Sequence, residues 1–273
     1  MHKKLINLKD SNFPHHPRSL ADGKTPSYFE WCREDKIVSN SCFISDYHLT
    51  EVQKCSNPRK IGWLMEPRAV YSQSYDFVDK NNKEFDYILT YDKELLSSGR
   101  NFLFYPFGVC WIKDFSEPVK TKMCSIIASD KRNTPGHQFR HKVIDKFKYI
   151  HHYGSNSLNQ VEKKEEALKE YRFSIVIENA QYDYFFTEKL IDCIATKTIP
   201  IYWGCPSIGN YFNTDGMLRF NTIEELQPII ESLSKDLYDS MLPGALKNLS
   251  IINEKKYMIP EDWIYTQYPF LIE

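Results

Sequence analysis

Short apolar runs rich in β-branched or aromatic residues recur along this chain, each followed by a polar or helix-compatible stretch, and that alternation limits the possible folds more than any other feature. In the first part the runs are Lys4 to Leu8, Ser41 to Ser45, Lys60 to Met65, Phe85 to Thr90 and Asn101 to Phe107. A second series starts near Lys122 and contains MCSIIAS, KYIHHYG, YRFSIVIE, TIPIYWG and MLRF. Strands that alternate with helices imply parallel βαβ units and hence an α/β fold. Between the two series, DFSEPVK reads as a polar, Pro-containing linker around Lys113 to Lys120. Two Rossmann-like domains are therefore expected, 1–115 and 116–273, with the C-terminal residues able to pack back on the first.

Helices fit between the strands of the second series. Gln138 to Phe147 places Phe139, Val143, Ile144 and Phe147 on one face. A second helix is expected from Ser157, with Gln160 completing a capping box, through Val161, Ala167 and Leu168. Its charged block Glu162 to Glu166 reads as a solvated face. A third helix should start at Thr187, a hydroxyl N-cap, with Leu190, Ile191, Ile194 and Ala195 as its apolar stripe.

Composition excludes some functions. The chain has 273 residues, 42% hydrophobic and 26% charged, which is ordinary for a packed globular protein. Its 35 basic and 36 acidic residues nearly cancel, so a general nucleic-acid binder is not expected. The 15% aromatic content is read first as core. Seven scattered cysteines with no CxxC pair point to a reducing, cytoplasmic location rather than to disulfides or zinc. The start, MHKKLINLKDSNFPHHP, has no apolar run behind its basic residues, so no signal peptide or integral membrane segment is expected. The pairs His15-His16 and His151-His152 lack partners at ligand spacing, and no metal site is expected.

The chemistry is concentrated between Tyr171 and Phe220, which reads as strand, polar loop, helix, strand, loop. Ligands of open α/β sheets bind beyond the carboxyl ends of the strands. Glu178 and Asn179 end the first of these strands. Thr187, Glu188 and Lys189 occupy a first helical turn, whose free N–H groups and positive dipole end suit a diphosphate. Lys189 adds a cation, and Glu188 can accept hydrogen bonds from ribose hydroxyls. Singly these features are weak, because a helix dipole favours an acidic first-turn residue anyway.

Together they resemble the C-terminal signature of the α1,3/4-fucosyltransferases, glycosyltransferase family 10, and its bacterial branch in particular. The matching residues are Phe173, Glu178-Asn179, Thr187-Glu188-Lys189, Ile199-Pro200-Ile201-Tyr202, Gly204 and Pro206, over about fifty residues. The resemblance implies donor contacts from Glu188 and Lys189, and a donor-pocket role for Asn179. The family's aromatic hydroxyl three residues before the glutamate is Phe185 here, preceded by Tyr184, to which the donor contact is assigned. CSIIASDKRNTPGHQFRHKVIDKF is similar to the family's Arg-bearing helix segment, which makes Arg140 a diphosphate ligand and Arg132 the fallback. IGWLMEPRAVYS resembles the segment that bears the family's base and singles out Glu66, with Asp46, Asp76 and Asp86 as alternatives. The downstream FDYILTYDKEL is also similar to a family segment, around Asp86 and Tyr91.

What the resemblance implies is an inverting glycosyltransferase of GT-B architecture, its two Rossmann-like domains facing a central cleft. It would move fucose from GDP-fucose to a hydroxyl of an oligosaccharide or other glycan acceptor. No cofactor is expected. There is no D-x-D, so basic residues rather than a metal would meet the nucleotide sugar's diphosphate. A related GT-B transferase with another nucleotide sugar, and a catalytically idle nucleotide- or carbohydrate-binding module, are the alternatives.

Overall fold

Strands buried on both faces need nearly continuous apolar sequence, and the runs that supply it form two all-parallel sheets. The computed structural model describes residues 3–11, 17–99, 101–106, 108–154 and 163–273. The first sheet holds β1 (Lys4–Lys9), β2 (Phe29–Cys32), β3 (Ser41–Ser45), β4 (Arg59–Trp63), β5 (Tyr87–Thr90) and β6 (Phe102–Phe104). Its order is β2-β1-β3-β4-β5-β6. The second holds β7 (Lys122–Ile127), β8 (His151–Tyr153), β9 (Tyr171–Ile177), β10 (Ile199–Trp203) and β11 (Leu218–Arg219), in the order β11-β10-β9-β7-β8. Every pairing is parallel. In each sheet the second and third strands pair on opposite sides of the first. The order therefore reverses between β1 and β3, and again between β7 and β9, and such switch points open a crevice at the carboxyl edge.

The α-helices are α1 (Arg68–Asn81), α2 (Lys93–Ser98), α3 (Pro135–Lys146), α4 (Glu188–Ala195), α5 (Ile223–Ser232), α6 (Lys235–Glu254) and α7 (Pro260–Gln267). Two expected helices are present: Thr134 caps α3 by accepting from the His137 N–H, and Thr187 caps α4 by accepting from the Lys189 N–H. The helix expected from Ser157 differs. Its start lies outside the described residues, and from Lys164 to Ala167 the chain makes only a short 3-10 turn. The charged block is a solvated face only in part: Glu162 lies outside the described residues, Lys163 and Glu166 are exposed, Glu165 is buried, and Lys164 turns inward against Asp192.

Strand β2 was not among the expected runs; it is short and interrupted by Glu30. The run Asn101 to Phe107 yields only three strand residues, and Phe107 lies outside the described residues, as do His15 and His16.

One apolar cluster joins the two sheets. It runs from Trp31, Phe43 and Trp63 on the first, through Tyr105 and Val109, to Leu190 and Ile191 of α4 and Trp263 and Ile264 of α7. The span 116–273 is thus not wholly on the second sheet, because α7 returns to the first. Asp262 accepts from the Ser27 N–H and hydroxyl, both at 2.6 Å, and Tyr265 stacks on Tyr28 with ring centroids 4.1 Å apart.

Candidate functional site

The carboxyl end of β9 is where the local structure converges. Glu178 is fully buried there and accepts from both the N–H (2.9 Å) and the hydroxyl (2.7 Å) of Thr187, which clamps the start of α4 to the strand end. The start of α3 lies on the same spot, with the Gly136 N–H donating to the Asn179 carbonyl at 3.0 Å. A Cβ on Gly136 would stand 1.8 Å from the Glu178 carbonyl oxygen, so only glycine allows this approach. Two helix N-termini therefore flank one strand end beside the β7/β9 switch point.

Above them is a cavity of about 400 Å³, and residues of both halves line it. Glu66 comes from the end of β4, Ser129 follows β7, Arg140 and His137 come from α3, Asn179 from the end of β9, and Glu188 and Lys189 from α4. The Asn179 side-chain amide donates to the Glu66 carboxylate at 3.2 Å across the two halves, and its oxygen accepts from Arg140 at 3.0 Å. Five of the six residues singled out in the sequence, Glu66, Arg140, Asn179, Glu188 and Lys189, thus share one cavity. Tyr184 does not line it. Its backbone is left-handed (φ 66°), its N–H donates to the Ser207 hydroxyl, and its ring packs on Phe104 and Tyr211. Phe185, at the family's hydroxyl position, is fully buried against Tyr91.

Arg140 differs from expectation in detail. Its guanidinium is buried, and its Nε and Nη2 fork onto the Ile177 carbonyl at 2.8 and 2.6 Å. Much of its donor capacity is spent bracing the end of β9, and Nη1 has no acceptor among the described residues. Arg132 does not line the cavity, whereas Lys131 does.

The carboxylates of the cavity are tuned in opposite directions. Burial pushes Glu66 above the usual range, with Lys189 and the Asn179 amide pulling the other way. Burial acts on Glu188 too, but Lys189 and Lys164 outweigh it and hold that carboxyl at about 2. The Lys189 ammonium stands 3.0 Å from Glu188 and 3.9 Å from Glu178. His137 is pushed down to about 4 by burial and then by Arg140 and Lys189, so it is neutral at physiological pH. Beneath Glu66 lies fully buried Asp46, which accepts from the Met65 N–H at 2.9 Å and the Glu66 N–H at 3.3 Å. Asp46 therefore shapes the turn that presents Glu66. Asp76 is exposed on α1, and Asp86 accepts from the Lys60 N–H at the far end of β4.

Lys131, His137 and Lys164 escaped sequence reasoning. The signal for His137 was available, since it follows the Thr134-Pro135 helix start by one turn. Lys164 lay hidden in a block of mixed charge, Glu162 to Glu166. Among the described residues no group of three or more His, Cys, Asp or Glu side chains could hold a metal ion. Nor, among those residues, is any helix long and apolar enough to cross a membrane.

A family model for the C-terminal region of glycosyltransferase family 10 (fucosyltransferase) matches residues 117–239. The chain is 29% identical over 182 residues to the α-(1,3)-fucosyltransferase FucT of Helicobacter pylori, covering 59% of this chain and 38% of that protein. It is 26% identical over 219 residues to a putative fucosyltransferase-like protein of Arabidopsis thaliana, covering 75% of this chain and 40% of that one. The chain thus spans about two fifths of the length of these relatives. A solved α1,3-fucosyltransferase with GDP superposes with a TM-score of 0.56 at 18% identity, covering 95% of this chain and 92% of the other. TarM gives 0.57 at 11% identity, over 85% and 54%. These likenesses establish the fold: two parallel-sheet domains in the GT-B architecture of glycosyltransferases.

Proposed function

From the premise that residues 117–239 form a glycosyltransferase family 10 (fucosyltransferase) C-terminal domain, we propose that the chain transfers fucose from GDP-fucose to a glycan hydroxyl with inversion at the anomeric carbon. The donor occupies the cavity from the 116–273 side, and the acceptor approaches from the 1–115 side. The observation that carries this reading is the Asn179–Glu66 hydrogen bond, which puts a carboxylate of one half into the cation-lined cavity of the other. Solved α1,3-fucosyltransferases of the same fold hold GDP and GDP-fucose.

Glu66 removes the proton from the acceptor hydroxyl, and burial supports this by raising the carboxylate's proton affinity. The acceptor oxygen then attacks the anomeric carbon from the face away from the nucleotide, through a transition state of oxocarbenium character. Negative charge grows on the departing diphosphate. Lys189, Lys131, the free edge of Arg140 and the starts of α3 and α4 lie together to stabilise it. The diphosphate is held by these groups without a metal ion, so excess chelator leaves the rate unchanged.

Phe185 favours a second reading, a different nucleotide sugar, because the family's hydroxyl is absent at that position. A donor panel with purified protein, followed by NMR of the product's anomeric proton, tests both. Transfer from GDP-fucose to a product of α configuration is expected, inverted from the β-linked donor. Retention of configuration, or transfer only from another nucleotide sugar, overturns the reading.

A further inference from the structure

The linker between the sheets is held by the charged block that precedes β9. Glu165 accepts from the Asp114 N–H at 2.9 Å and from the Lys113 N–H. Lys164 reaches the opposite way. Its ammonium donates to Asp192 at 2.7 Å, stands 3.8 Å from Glu188, and lies 4.7 Å from the centroid of the Trp111 ring. Asp192 is fully buried, and its other oxygen accepts from the Trp111 N–H at 2.7 Å.

Glu188 and Asp192 are four residues apart on α4, so their carboxylates share one face of the helix, a turn apart. Two buried acids in that arrangement repel unless a cation meets both. Lys164 meets both, and it also lines the cavity.

We propose that Lys164 is a positioning residue for Glu188, and that through Asp192 and Trp111 it pins the linker to the helix that holds the donor. This rests on the reading of the cavity as a nucleotide-sugar site. The charged groups facing Glu188 are Lys189 and Asp192 on α4, Lys164 before β9, Glu178 at the end of β9, Glu66 at the end of β4, and Arg140 on α3. Lys189 is shared with Glu178, from which it stands 3.9 Å. Without Lys164, that one nearby ammonium faces two buried acids, with a third a turn behind. The proton affinity of Glu188 then rises from its lowered value, together with that of fully buried Asp192, and a protonated or displaced Glu188 accepts fewer hydrogen bonds from donor hydroxyls.

The test is calorimetric binding of GDP to the full chain, wild type against Lys164→Met, from pH 8 to pH 5.5. The ratio of the two Kd values cancels the titration of the nucleotide itself. The ratio should start at about tenfold, the usual size for a lost charge-assisted contact. It should then climb further toward pH 5.5, as proton uptake by Glu188 and Asp192 is linked to binding. Lys164→Arg, which keeps the charge, should remove the climb. A ratio of one throughout overturns the proposal. So does a ratio that is raised but constant with pH, because that is a purely structural loss. If Lys164→Met does not fold, the double variant K164M/D192N removes the buried acid together with its partner and must still show a climb, smaller because Asp192 no longer repels Glu188; a flat ratio there overturns the proposal. Failure of the wild type to bind GDP overturns the reading of the cavity itself, and is distinct from each of these results.

Discussion

Glu66 combines two properties that a general base needs, a raised proton affinity from burial and a hydrogen bond that aims it. The Asn179 amide supplies the aim, and the Asp46 carboxylate beneath fixes the turn by accepting from the backbone at Met65 and Glu66. Glu66→Gln keeps the shape and removes basicity. Transfer should fall by about two to four decades, the range of a positioned base, while GDP affinity barely changes. The pH–rate profile of the wild type should lose activity on the acid side as Glu66 protonates, and the variant's residual rate should lack that limb. A variant that turns over like wild type would remove Glu66 from the mechanism. Lys189 and Arg140 separate in the same way. Lys189→Ala should weaken GDP binding by about 1.5–3 kcal/mol, as for a hydrogen bond to a charged group. Arg140→Ala should also lower the denaturation midpoint, since it uncovers the buried Ile177 carbonyl. Equal midpoints for the two variants would show that the Arg140 fork braces nothing.

At the scale of elements, the junction of β9, α3 and α4 makes the site. Thr187→Ala removes an N-cap worth about 1 kcal/mol. It also strips a hydrogen bond from fully buried Glu178, which adds roughly 1–3 kcal/mol for a poorly satisfied buried acid. Thr187→Ser should retain most of both, and urea denaturation of the pair would show whether the hydroxyl is the cause. Gly136→Ala should cost more than about 1–3 kcal/mol, because its Cβ meets backbone rather than a side chain that can turn away. This junction was legible in the sequence because each part carries a local signal. The run Tyr171 to Ile177 ends in Glu178-Asn179, and the hydroxyl cap Thr187 opens α4, whereas α3 was expected only from Gln138, three residues past the start that Thr134 caps. What could not be read depends on partners distant in sequence. Lys164 and Glu165 look like surface charge until Trp111, Asp114 and Asp192 are brought beside them. Tyr184 looked equivalent to the family's tyrosine, but its left-handed backbone points it to Phe104 and Tyr211 instead. Strand β2 is four residues long with a glutamate inside, too short for an alternation to stand out.

Across the whole molecule, α7 decides how the two sheets are joined, because it leaves the second and completes the core of the first. Glu261, in its first turn, is fully buried and accepts from the Leu20 N–H at 2.7 Å. Burial pushes its carboxyl from 4.5 up to about 7, against that hydrogen bond. The sign follows from proton counts. Between about pH 4.5 and 7 the folded chain keeps the Glu261 proton and the unfolded chain has lost it, so rising pH favours unfolding through this group. The stability it contributes is present below about pH 4.5 and is lost as pH rises through about 7. At 1.36 kcal/mol per tenfold change in proton affinity, the loss is on the order of 3 kcal/mol. Glu261→Gln keeps an oxygen for the Leu20 N–H and cannot titrate. Any constant penalty of the amide shifts both ends of the range equally, so the informative quantity is the difference in Tm between variant and wild type against pH. That difference should move in favour of the variant by roughly 5–10 °C from pH 5 to pH 7.5, given about 2–4 °C per kcal/mol for a chain of this size. A difference that stays level would mean that Glu261 titrates alike in the folded and unfolded chain. In that case the docking of α7 through Trp263, Ile264, the Asp262–Ser27 contacts and the Tyr28–Tyr265 stack would not depend on the charge of Glu261.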